Sequence, residues 1–545
     1  MQFNLVDKEW IPVKRRDGTE TMIAPWQITD GFDTNPIIAL NATRADFNGA
    51  LIQFLIGLVQ TMAAPANKIE WKMKLMKPPL SKELQTMFST VRHAFELGGD
   101  GTRFMQEIEQ LEVEVRGIDG LLIDMPGENA RKRNTDHFVK RNTVNAMCPS
   151  CCATALFTMQ TNAPAGGAGF RTSLRGGGPL TTLVLGSQDY DLLWHLIWLN
   201  VLESDVFLRV CANTACANEN DKFPWLGETR TSESKAGVET TPEDAHPVMM
   251  FWAMPRRIRL NMTSLKAGVC DLCGKSSDHL IQEYQDKNYG MDFTGAWLHP
   301  LSPYSYNKDG LPLPAHAQPG GVSYRHWLGL VQANAKEGRV PARIIHEFQE
   351  NRQHNLKDCQ FRLWAFGYDM DNMKARCWYE AKMPLLCVEP ALRGEYENSI
   401  AGMVKAAVEI AKNVQIAVKK AWFKRPGDVK GDTSFISNSF WQNTEPAFYE
   451  ALHNLKKTLE SDADCMGVRK EWHASLCNEA LKLFDAYAWD GPIEDTDPKR
   501  VVIARQELQY FNKSKKIKGL LDLPVEQQPS GGAKKKSGQL IAQHG

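Results

Sequence analysis

At 545 residues the chain is too long for one hydrophobic core, so two or three domains are expected. Hydrophobic residues make up 43% and tryptophan alone occurs 15 times, enough to bury a sizeable interior. Lysine plus arginine and aspartate plus glutamate each total 64, which excludes a global positive field and leaves any polyanion contact to local patches or a larger assembly.

Leu5 to Ile23 alternates apolar and polar residues around a turn at Asp17-Gly18, the pattern of a β-hairpin. The first ten residues lack the basic and apolar segments of a secretory leader. Twelve cysteines in such a chain suit a reducing cytoplasm, where cysteine pairs serve metals more often than disulfides. Thr43-x-x-Asp46 reads as a capping box before an uncharged run from Phe47 to Ala66. That run is interrupted by Asn48, Gly49, Gln53, Gly57 and Gln60, so it predicts a buried helix and not a membrane span. Helical signals continue to about residue 115, and residues 120–190 read as loops rich in glycine and basic side chains. Between 250 and 390, short strand-like runs such as Arg256-Arg-Ile-Arg-Leu260 alternate with proline-rich connections.

The last third is helical. Ile400, Val404, Ala407, Ala411, Val414, Val418 and Ala421 recur at helical spacing before Pro426. Further helices are predicted from Pro446 to Leu459, Val468 to Ala488 and Lys499 to Leu521. The expected fold is α+β: an irregular mixed domain over 1–390, an antiparallel four-helix bundle over 391–525, and a basic tail over 526–545 that reads as disordered.

Two Cys-x-x-Cys pairs, Cys148/Cys151 and Cys270/Cys273, are widely separated in the chain. Four thiolates in this arrangement suit tetrahedral zinc and leave no open coordination position, so the site is expected to be structural. Independent buried thiols or a redox pair are the competing readings. Cys211 and Cys216 read as plain thiols before extra ligands. Arg131 to Arg141 carries five basic residues in eleven, a loop that attracts phosphates if it is more than a solvated surface. Gly166, Gly167, Ala168 and Gly169 precede Arg171 and Arg175. They match neither a Walker A loop nor a dinucleotide fingerprint, but let backbone amides approach a polyanion closely. Asp369, Asp371 and Asn372 are a candidate Mg²⁺ cluster for a nuclease or phosphotransferase, against a plain polar turn.

In this order the motifs resemble a known family. Asn4-Leu-Val-Asp-Lys-Glu-Trp-Ile-Pro-Val13 opens the match, followed by Cys148-x-x-Cys151, Ala155-Leu-Phe157, Gly169-Phe-Arg-Thr-Ser-Leu-Arg-Gly-Gly177 and Pro179-Leu-Thr-Thr182. Phe251-Trp252, Cys270-x-x-Cys273, Trp297-Leu-His-Pro300, Ser302-Pro303 and Gly367-Tyr368 continue it. Together they resemble the large subunit, CasA, of the type I-E CRISPR surveillance complex Cascade, over nearly the whole chain to about residue 525.

The resemblance implies a non-catalytic subunit that reads the protospacer-adjacent motif on double-stranded DNA and helps open the duplex. Its implied partners are the target duplex and displaced strand, the other Cascade subunits with CRISPR RNA, and a recruited helicase-nuclease. By the same resemblance Phe138, Val139 and Lys140 form the base-contacting loop, and Gly166 to Gly169 approach the minor groove. Lys287 or Asn288 supplies a groove-reaching side chain, and Asn372, Met373 and Lys374 fall at a strand-separating wedge. Two departures stand out: the wedge has no glutamine, and Lys140 replaces an asparagine.

Overall fold

The computed structural model describes residues 1–134, 136, 141–209, 218–233, 237–333, 338–356, 360–371, 374–386, 388–428, 431–490 and 497–525. They fall into two units, Met1–Cys387 and Val388–Gly545.

In the first unit, strands Ile11–Arg15 and Glu20–Ile23 pair antiparallel, and Ile37–Leu40 adds to the other edge of the first. The turn closes with Gly18 at φ +90°, donating its N–H to the Arg15 carbonyl, a conformation that costs glycine little. The uncharged run forms the helix Ala45–Met62, buried almost all round. Its amides find partners there: Gln53 donates to the Gly49 carbonyl, and Gln60 both donates to and accepts from the Leu202 backbone. Those bonds make burial of the polar side chains tolerable.

The capping box does not form. Arg44 is the N-cap and contributes no side-chain cap. The Asp46 carboxylate instead accepts both Arg44 guanidinium nitrogens at 2.9 Å and the Tyr368 hydroxyl at 2.6 Å. A bidentate guanidinium outcompetes a single backbone amide.

At mid-helix the Phe54 ring meets Trp10, Phe95, Phe104, Phe157 and Trp252 edge-on, with centroids 5.3 to 6.0 Å apart. This aromatic cluster is the centre of the core. Helices expected to run to residue 115 end at Ser89, apart from a single 3-10 turn, before Gly98-Gly99. Conversely, Pro149–Asn162 is a helix inside the stretch expected to be loops. Its Thr, Ala and Cys residues carry no charge, so they give no polar face from which to read a helical period.

A long hairpin, Phe361–Asp371 with Lys374–Leu385, pairs on one side with Thr181–Leu185. The strand Glu283–Lys287 lies between Arg116–Gly117 and Arg257–Leu260. The architecture is mixed α+β with several small sheets.

The second unit is helical: Pro390–Trp422, Ser434–Glu460, Met466–Tyr487, Pro498–Asn512 and Lys515–Leu520. Ile400, Ala407, Ala411, Val414, Val418 and Ala421 are buried along the first, as their spacing predicts, whereas Val404 of the same row is half-buried. The second starts twelve residues before the expected position and carries Pro446 in its interior. Buried Phe440, Trp441, Thr444 and Phe448 on either side of the proline hold it in the helix. The last expected helix is broken at Lys513-Ser514.

Candidate metal centre and nucleic-acid interface

Cys148 is the N-cap of Pro149–Asn162, and Pro149 occupies the first helical position, where a missing N–H does no harm. The first pair is therefore the opening turn of a helix. The second pair is the turn of the hairpin Lys266–Val269/Ser276–Leu280. There Cys270 N–H donates to the Lys275 carbonyl, and Gly274 at φ +69° donates to the Cys270 carbonyl. Met147 and Ile281 exchange two backbone hydrogen bonds of 2.9 Å, and Asp271 accepts from the amides of Asn145 and Ala146. This stitching brings all four sulfurs within 4.8 Å of one another, three of the cysteines buried and Cys273 half-buried.

Cys148 Sγ lies 3.7 Å from Cys273 Sγ. A tetrahedron with metal–sulfur bonds of about 2.3 Å has an edge of about 3.8 Å. The crowding separates the thiols electrostatically. Hydrogen bonding with Cys148, then with Cys270 and Cys273, raises Cys151, while the bond from Cys151 pulls Cys273 down to about 6. Four thiolates this close repel strongly unless a cation sits among them. In geometry and donor type the cluster could hold a metal ion.

The glycine loop stands against the end of the Glu283–Lys287 strand. Tyr289 N–H donates to the Gly169 carbonyl at 2.9 Å, and the Asn288 side-chain amide donates to the Ala168 carbonyl at 2.8 Å. Gly169 has φ +85°, and a Cβ there would lie 2.5 Å from the Tyr289 ring. Glycine is required on both counts. Gly167 faces open space. Thus Ala168 and Gly169 of the loop stand beside Asn288 and Tyr289, directly after Lys287 in the chain.

Phe170, which the sequence shows only as part of the family motif, and Tyr289, which it does not single out, pin this loop. The Phe170 ring lies under the Arg256 guanidinium at 5.0 Å and the Arg116 guanidinium at 5.7 Å. Both arginines neighbour Asp286, whose pKa is pushed up to about 6 by burial. The sequence signs for Phe170 were its place in the Gly169-to-Gly177 motif and directly after the glycines; Tyr289 gave none.

Other basic residues are already occupied. Arg171 pairs with Asp292 at 2.8 Å and donates to Ser232. Arg175, read from sequence as helping the glycine loop hold a polyanion, is 3% exposed. It donates to Gln53, Thr181 and Ser302, and burial lowers its pKa to about 10. It belongs to the core, because the buried helix offers it the Gln53 carbonyl oxygen. In the basic loop, Arg131 pairs with Asp119 at 2.5 Å and Arg141 with Asp136 at 2.6 Å, whereas Arg133 is exposed. Phe138, Val139 and Lys140 lie outside the described residues, as do Cys211, Cys216, Asn372, Met373 and the tail 526–545. Lys374 is exposed and pairs across the hairpin with Asp371. Buried Asp369 accepts Arg376 through both oxygens, at 2.7 and 3.1 Å.

A family model for CRISPR-associated protein Cse1 matches residues 4–483. The chain belongs to the Cse1 family. The CasA resemblance carried by the motifs, that of the type I-E Cascade large subunit, is thereby borne out. Among solved structures, Thermus thermophilus CasA is similar at 15% identity with a TM-score of 0.67, covering 94% of this chain and 100% of that one. Thermobifida fusca Cse1 gives 15% identity and 0.69, over 96% and 99%. A chain of a CRISPR RNA-guided surveillance complex gives 14% and 0.66, over 94% and 100%. At such identities the likeness to these structures is one of fold. Among the described residues of this Cse1 chain, no helix is long and apolar enough to cross a membrane.

Proposed function

We propose that this Cse1 chain is the non-catalytic large subunit of a cytoplasmic, type I-E RNA-guided complex. In this reading it recognises the protospacer-adjacent motif on double-stranded DNA, helps open the duplex for R-loop formation and recruits a helicase-nuclease. The observation that carries the reading is the junction of the glycine loop with Lys287-Asn288, sealed by the Asn288–Ala168 and Tyr289–Gly169 hydrogen bonds. A loop without bulky side chains next to a lysine suits close approach to a minor groove, whose degenerate pattern separates mainly A·T from G·C. That suffices for a subunit that reads a short motif and leaves identity to guide pairing.

Zinc is the metal that suits the four thiolates, and Cys148, Cys151, Cys270 and Cys273 would hold it. When bound it supplies a cross-link between the Pro149–Asn162 helix and the hairpin leading into the Lys287 strand. The long hairpin ending at Asp371 and Lys374 suits a wedge at the tip. The C-terminal helices are read as an antiparallel four-helix bundle. Bonds from Tyr396 to Leu452 and from Arg500 to Ala421 and Trp422 support that arrangement. The Arg376 clamp on Asp369 supports a non-catalytic role, since a divalent cation would have to displace a bidentate guanidinium.

The test is Gly167→Asp, which adds a carboxylate in open space, together with Lys287→Ala. Target-duplex affinity of the assembled complex is expected to fall about tenfold or more in each, with guide-RNA assembly intact. Lys287→Ala should also reduce the salt dependence by about one counterion. Unchanged affinity in both variants would overturn the reading.

A further inference from the structure

The helix Lys68–Met76 is apolar on two opposite faces. Inward, Trp71 and Leu75 are buried. Trp71 Nε1 donates to the Trp198 carbonyl at 3.2 Å, Trp198 Nε1 donates back to the Trp71 carbonyl at 2.7 Å, and the Arg352 guanidinium covers the Trp71 ring at 4.4 Å. Outward, Ile69, Met73 and Met76 are 74%, 65% and 60% exposed, and Leu80 just beyond is 71% exposed. Positions 69, 73 and 76 are spaced i, i+4, i+7, so they form a single stripe. Lone exposed hydrophobics are ordinary, but a contiguous row of large ones marks an interaction surface.

The flanks are cationic. Lys72 and Lys77 are exposed beside the stripe. Lys74 is turned inward onto Glu70 at 2.6 Å and the Trp198 ring at 5.7 Å. An apolar seam edged by lysines complements an apolar seam edged by carboxylates, and two thioethers adapt readily to a partner's shape.

We propose that Ile69, Met73, Met76 and Leu80 form the docking seam for an acidic-flanked amphipathic helix of another subunit in the RNA-guided assembly. The proposal rests on the reading of this chain as such a subunit. Lysines beside apolar residues also suit an anionic membrane surface. However, this helix has only nine residues and is clamped from behind at Trp71, which leaves little area to insert into lipid.

The experiment uses full-length wild type and the Ile69→Glu/Met73→Glu double variant. Each is melted alone and then assembled with the remaining subunits and guide RNA. Hydrogen exchange across residues 68–80 should slow in wild type on assembly. The double variant should enter the complex about tenfold less well, with its own melting temperature within about 2 °C of wild type. Unchanged exchange together with equal incorporation would overturn the proposal. So would binding of wild type, but not the double variant, to phosphatidylglycerol vesicles. If wild type itself fails to enter a guide-RNA complex, the parent reading falls as well.

Discussion

The Asn288 side-chain amide donates to the carbonyl of Ala168 at 2.8 Å, joining residues 120 positions apart. Ala168 itself sits at φ +34°, a backbone conformation uncommon for a residue with a Cβ. The bond therefore helps hold a loop that would otherwise relax. Asn288→Ala should cost about 1 kcal/mol of stability. Its larger effect should be faster hydrogen exchange in residues 166–170 and weaker duplex binding by the assembled complex. If exchange there is unchanged, the bond does not order the loop.

Metal removal tests the tetrad. Elemental analysis of the purified chain should give one zinc per molecule. A strong chelator should lower the melting temperature by several degrees, reversibly on adding zinc, because binding free energy contributes to folding. Cys270→Ser should lower both zinc content and melting temperature. A chain purified without any transition ion, and indifferent to chelator, would refute the structural metal.

Asp286 sets a pH dependence. Its Oδ1 is buried without a hydrogen-bond partner, and Arg116 lies 3.4 Å from its other oxygen. Burial pushes its pKa to about 6 from an ordinary 3.8. A carboxyl raised in this way stabilises the fold while protonated, and that contribution is lost as pH rises through about 6. Relative to Asp286→Asn, wild type should therefore lose about 2 kcal/mol between pH 4 and pH 7.5. Denaturant unfolding of both proteins at the two pH values checks the sign. A flat difference would mean that Arg116 and Arg256 keep the carboxylate ionised.

The Asp369–Arg376 pair offers a test between the proposed DNA-reading subunit and a Mg²⁺ enzyme. With labelled DNA and Mg²⁺, the isolated chain should show no cleavage. Asp369→Asn should only lower the melting temperature by a few degrees, since it weakens one ion pair on a long hairpin. Metal-dependent cleavage lost in Asp371→Ala would reverse the assignment.

Features with a short-range physical cause were legible in the residue order. Gly18 closes the first hairpin because the turn needs positive φ. The Ile400-to-Ala421 row predicts its helix because one face must be apolar. The cysteine spacing predicts a tetrad because thiolates bind soft metals in fours. Where the cause was distant, local patterns misled. Thr43 looked like half of a capping box, yet Asp46 is engaged by Tyr368, 322 residues away. The break at Lys513-Ser514 interrupts a run whose composition stays helical.

The sequence by itself determined the family, the mixed α+β class and which four cysteines come together. Only the tertiary structure decided which charges remain available. Arg175 is taken into the core by Gln53, Arg171 is held by Asp292, and Asp369 is clamped by Arg376. The reason is electrostatic: a side chain's charge is local chemistry, but whether it faces solvent or a counter-charge depends on segments that meet only when the chain has folded.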